Sequence, residues 1–196
     1  KQSVWLRKGV EGSSMRSFLS CLSSLYSIVH KTDTLSINDF VNVMAESLTI
    51  DDYVKYQNGS LVSIFRPKTL VFEKIPDSVV SQHKRSDLFK KMKDENKIPP
   101  EYKDDFERFV KETIVSFNNF KEYLKNEDSW VDHVYLWDIV CSKNKKLFKD
   151  GLNLVILDFG YADDGIVEMI DIICPTNVYA TKLFDETKPT FFVVKY

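Results

Sequence analysis

The chain has 196 residues, 43% of them hydrophobic and 29% charged, which suits one globular core and leaves little room for two. Lys and Arg number 27 against 29 Asp and Glu, a net charge of -2, and the richest basic stretch, 82–93, runs straight into Asp94 and Glu95. A mixed run of this kind solvates a helix face, so no surface that tracks nucleic acid is expected, and with no apolar run of about 18 residues no membrane span is expected either.

In chain order, Val4-Trp5-Leu6 reads as a short strand before Gly9. Met15, Phe18, Leu19, Leu22, Leu25, Tyr26 and Val29 then recur at helical spacing, with Ser13 or Ser14 as the cap. A second helix is announced by Ser36 with Asp39 three residues later, and carries Ile37, Phe40, Val41, Met44 and Leu48 on one face. Thr49 or Asp51 caps a short third helix that ends at the turn signal Gln57-Asn58-Gly59. Leu61 to Phe65 and Leu70-Val71-Phe72 read as strand-like runs closed by Pro67 and Pro76.

The stretch 77–100 is the most polar of the chain and is expected to be a mobile or peripheral insertion with one helix near Ser86 to Lys93. Pro99-Pro100 opens the longest helix, whose stripe is Tyr102, Phe106, Phe109, Val110, Phe117, Phe120 and Leu124. Asp128 or Ser129 caps an amphipathic segment from Trp130 to Val140, and Asp150-Gly151 turns the chain. The period then changes. Leu152 to Phe159, Val167 to Ile173 and Thr190 to Val194 are β-branched and aromatic runs, the first two forming an antiparallel hairpin. Helices followed by a sheet predict an α+β domain.

Three cysteines, Cys21, Cys141 and Cys174, show no metal or disulfide spacing. They fit a reducing compartment. The histidines, His30, His83 and His133, share no ligand spacing and read as surface or boundary residues. No phosphate loop, dinucleotide fingerprint, zinc-protease or serine-hydrolase motif occurs, so no metal and no cofactor are expected. Asp158, Asp163, Asp164, Glu168 and Asp171 invite comparison with a metal-dependent nuclease core, but that core wants a lysine one residue from the second carboxylate, whereas Val167, Met169 and Ile170 stand beside Glu168, and a solvated hairpin tip explains them. In Gly12-Ser13-Ser14-Met15-Arg16-Ser17-Phe18-Leu19-Ser20-Cys21-Leu22, a helix start offers free N–H groups and the positive end of a dipole. Counted from Ser13 or Ser14, Cys21 lies about two turns in, where those groups are already bonded, so it reads as a packing residue.

Two resemblances bear on function. The segments FVNVMAESLTIDDYVKYQNGSLVSIFRP, HVYLWDIVCSKNKKLFKDGLNLVILDF and EMIDIICPTNVY, with KPTFFVVKY, resemble an uncharacterised domain of large proteins from nucleocytoplasmic large DNA viruses. That likeness implies a longer parent protein, as do the first residue Lys1 and the end at Tyr196, and a setting in the host cytoplasm, at the virus factory, or in the virion. The order of elements is also similar to the ovarian-tumour (OTU) family of cysteine deubiquitinases. Ser14-Met15-Arg16-Ser17-Phe18-Leu19, followed by Leu25-Tyr26, can be laid on that family's D-G-N-C-L-F turn, which puts Ser17 where the nucleophilic cysteine would be. The turn's aspartate and glycine are replaced, and no histidine follows His133.

The expectation is therefore one α+β domain over 1–196, papain-like or OTU-like in form, with its helices in the N-terminal two-thirds packed on a C-terminal antiparallel or mixed sheet. It is expected to act as a non-catalytic, protease-like binding or scaffold module with a protein partner, either ubiquitin or another viral subunit. An active ubiquitin-directed cysteine protease is the alternative, with Ser17 and Cys21 as the candidate catalytic residues. A structural virion component is the further one.

Overall fold

The computed structural model describes residues 9–10, 15–67, 77–94, 99–174 and 185–195, and the fold is α+β. The expected strands at Val4-Trp5-Leu6 and Leu70-Val71-Phe72 lie outside these residues, as do Gly12, Ser13 and Ser14. Helix α1 spans Ser17–His30, α2 Ile37–Ser47, α3 Ile50–Tyr53 and α4 Ser60–Phe65. Then come α5 Asp77–Ser81, α6 Asp87–Lys93, α7 Lys103–Lys125 and α8 His133–Cys141. The strands β1 Asn153–Tyr161, β2 Val167–Ile173 and β3 Thr190–Lys195 close the chain.

Side-chain caps mark several helix starts. The hydroxyls of Ser36, Thr49 and Ser86 accept from the backbone N–H groups of Asp39, Asp52 and Phe89, each at 3.1 Å. Helix α8 is capped by Asp132, whose Oδ1 accepts from Val134 N at 2.8 Å, not by Asp128 or Ser129. Residues 77–94 are tied to the rest, because Asp51 accepts from the Asp87 and Leu88 N–H groups while Leu88 and Phe89 are buried. The start of α6 is thus held by its own Ser86 hydroxyl and by a carboxylate from α3.

Leu61 to Phe65 form helix α4, where the sequence reads as a strand. Gln57, Asn58 and Gly59 all take positive φ and reverse the chain, and the helix then buries Leu61 and Val62 while Ser63 and Ile64 face out. Helix α7 is the centre of the core, burying Val110, Ile114, Phe117, Phe120 and Leu124, whereas Tyr102 and Phe109 of the expected stripe are exposed. Tyr53 packs against Phe117 and Phe120 with ring centroids 5.2 and 5.5 Å away.

The sheet order is β2-β1-β3, with β1 antiparallel to β2 and parallel to β3. It is therefore mixed. Asn153 secures the parallel strand, its side-chain amide donating to the carbonyl of Asp185 at 2.8 Å and its backbone N–H to that of Pro189 at 2.9 Å. Leu154 and Ile156 enter the core on one face of the sheet, joined there by Ile173, Phe191 and Val193.

Candidate functional site

Helix α1 begins at Ser17, not at Ser13 or Ser14, with Arg16 in the cap position and no side-chain cap. The Arg16 guanidinium is buried and turned away from α1. Its Nη2 donates to the carbonyl of Leu124 at 2.7 Å, in the last turn of α7, and its Nη1 to Asn38 Oδ1 at 3.4 Å, while Nε has no partner among the described residues. A cation there complements the negative end of α7.

Ser17 is the first helical residue and is exposed. Among the described residues its hydroxyl has no hydrogen-bond partner. Cys21 is the fifth residue of α1, where its N–H is already committed to the helix, and burial pushes its thiol above the ordinary value. An activated cysteine is shifted the other way. Cys141 is more deeply buried, and its thiol is pushed up to about 12, chiefly by desolvation.

His133 stands where sequence reasoning did not look for it. Val131 N donates to Met15 O at 3.0 Å, bringing the start of α8 against the start of α1, and the His133 ring lies edge-on to Phe18, centroids 6.0 Å apart. Trp137 covers it from within α8 at 5.2 Å. Burial holds the imidazole below its ordinary value, Asp132 and Asp158 pulling it up and Lys195 pushing it further down. The imidazole packs on Phe18, the residue after Ser17, and no hydrogen bond joins it to Ser17 or Cys21. A general base needs that reach. The Cys21 thiol is raised by burial, and the imidazole is packed against phenyl and indole rings. His30 sits at the far end of α1 with its Nε2 2.6 Å from Leu147 O, and His83 lies beside Phe117.

Asp158 is not at the hairpin tip. It sits within β1, in register with Asp171 on β2 and Lys195 on β3, and Lys195 Nζ approaches its Oδ2 to 2.7 Å. This charged row lies on the face that carries Leu154 and Ile156, because strand side chains alternate. Asp163 and Asp164 do occupy the tip, where Asp164 Oδ1 accepts from Ile166 N at 3.0 Å. Among the described residues, no group of three or more His, Cys, Asp or Glu side chains could hold a metal ion, and no helix is long and apolar enough to cross a membrane.

The opposite face of the sheet is the more telling surface. It carries Leu157, Phe159 and Tyr161 from β1, Ile170 and Ile172 from β2, and Val194 from β3. Leu157 and Phe159 are half-buried, and the other four are between 41% and 68% exposed. Exposed Glu168 lies at the tip end of the patch, in the irregularity beside the Tyr161–Val167 pair, and Asn153 and Thr190 share the face at its other end. A sheet with one wetted face alternates apolar and polar residues, whereas near-continuous apolar runs belong to strands covered on both sides. Val-Ile-Leu at 155–157 and Ile-Asp-Ile-Ile at 170–173 are of the second kind, and that signal was present in the sequence.

Compared with protein-family models, with curated proteins and with solved structures, the chain matches none.

Proposed function

We propose that this domain is a non-catalytic binding module that engages a protein partner through the outer face of its C-terminal sheet. The observation that carries the reading is the contiguous apolar patch of Leu157, Phe159, Tyr161, Ile170, Ile172 and Val194. Such patches mark interaction surfaces when they reach several hundred Å². The burial that raises the Cys21 thiol supports the non-catalytic part of the reading. The viral resemblance adds a setting to the same proposal, the host cytoplasm or the virion, and a role beside other subunits.

The test is apolar-dye fluorescence with anilinonaphthalene sulfonate at sub-micromolar protein. The wild type binds the dye, Ile172→Glu loses most of the enhancement, and Ile28→Glu, altering an exposed residue of α1, keeps it. Equal signals from all three would count against the sheet face.

The alternative, an active ubiquitin-directed cysteine protease of the ovarian-tumour type, draws its support from His133 beside the α1 start. It requires the imidazole to leave Phe18 and Trp137 and to reach a thiol that burial has raised.

A further inference from the structure

The partner class can be narrowed, on the premise that the sheet face is the working surface. We infer that the face is covered by the same face of a second copy of this chain, in a two-fold dimer.

Charge is the first argument. The ionic side chains of the central ladder, Asp158, Asp171 and Lys195, share one row on the helix-covered side of the sheet. Closing the outer face removes none of these charges from water, and it avoids the penalty that makes buried unpaired charges so costly. Between Glu168 at one end and Asn153 at the other, the face offers a charged partner surface nothing to pair with. A second identical face presents the same apolar centre between its polar ends and meets the requirement.

Area is the second argument. Tyr161, Val167, Ile170, Ile172 and Val194 are 40% to 68% exposed, and at ordinary side-chain areas they amount with Leu157 and Phe159 to roughly 500 Å² per copy. Two copies would bury roughly 1,000 Å², the lower bound for a specific interface. The patch is large enough for a dimer and small enough that the dimer dissociates on dilution.

Symmetry is the third. A two-fold axis through the patch makes it self-complementary, a residue of one copy contacting a second residue of the other and that second residue contacting the first in return. Two sheets pack face to face at about 10 Å with side chains interdigitating, a geometry that exposed Ile, Val and Tyr fill well. The strand runs that looked covered on both sides are then covered on both sides.

Sedimentation equilibrium of the full chain decides the matter, between about 1 and 100 µM, the range in which interfaces of this size associate. The wild type should pass from monomer to dimer. Ile172→Glu and, independently, Ile170→Glu should weaken dimerisation at least tenfold with unchanged circular dichroism, whereas Ile28→Glu should not. A wild type that stays monomeric throughout overturns the inference, and so does a dimer indifferent to both sheet substitutions. If the monomer still binds dye in a manner lost in Ile172→Glu, the sheet face keeps its role and another protein is its occupant. If the dye signal is also indifferent, the binding-module reading falls with the dimer.

Discussion

The rings of His133 and Phe18 meet edge to face, their centroids 6.0 Å apart and their planes 73° from parallel, across the junction of α8 and α1. That contact uses the imidazole as a packing group. Because the first turn of α1 is where a protease of the ovarian-tumour type would keep its nucleophile, the same contact bears on function. The histidine that could have served as a base is held by aromatic neighbours and kept neutral by burial.

Acid should therefore weaken the fold. His83 and His133 both have folded values below the ordinary 6.5, each chiefly through burial, with Lys121 adding to the effect at His83. Below 6.5 the unfolded chain takes up protons that the folded chain refuses, so the stabilising contribution is complete above that value and declines as pH falls towards the folded values. The thermal midpoint should drop between about pH 7.5 and 5.5, and drop less in a His83→Gln, His133→Gln double variant. An equal drop in that variant would assign the acid sensitivity elsewhere.

The hydroxyl of Tyr53 should be worth more than its size suggests. It donates to the carbonyl of Leu61 at 3.0 Å and lies 2.7 Å from Ser116 Oγ, in a site closed to water, so that α3, α4 and α7 meet at one polar point. Tyr53→Phe leaves the Ser116 hydroxyl and Leu61 carbonyl under-bonded and should reduce stability by about 1–3 kcal/mol in urea unfolding. A change near zero would mean that the network relaxes without loss.

Two glycines offer a graded comparison. Gly59 has φ 85°, and a Cβ there would sit an ordinary 3.4 Å from the Val54 carbonyl oxygen, so Gly59→Ala should lose only the left-handed strain, about 1–2 kcal/mol. Gly151 has φ 71° and a Cβ would come 2.3 Å from the Cys141 carbonyl oxygen, the atom that also accepts from Lys188 Nζ at 3.0 Å. Gly151→Ala must push the end of α8 off the start of β1 and should lose about 4 kcal/mol or more. Equal losses in the two variants would show that this junction yields easily.

Local signals carried most of the elements. Ser36 with Asp39, Pro99-Pro100 and the Gly- and Asp-rich loop after Tyr161 mark boundaries that depend only on neighbouring residues. The structure departs from the local signals where distant residues decide. A five-residue apolar run such as 61–65 has no resolvable period, and its helical form follows from docking on α7, where Ser116 Oγ donates to the Val62 carbonyl at 2.9 Å. The parallel pairing of β3 with β1 depends on Asn153 grasping a turn more than 30 residues onward. The junction of His133 with α1 joins residues more than 100 positions apart, and no spacing could have announced it. The apolar outer face is different, because its failure to alternate was visible in the strands themselves.

The proposal that the domain is non-catalytic is tested most directly with a ubiquitin propargylamide probe, which traps a competent cysteine nucleophile as a covalent adduct. Incubated with the full chain and resolved by mass spectrometry, the probe should leave the wild type unmodified, with Cys21→Ala, Ser17→Ala and His133→Gln indistinguishable from it. An adduct formed by the wild type and abolished by Cys21→Ala would contradict the account, and its loss in His133→Gln as well would restore the α1 start as an active site.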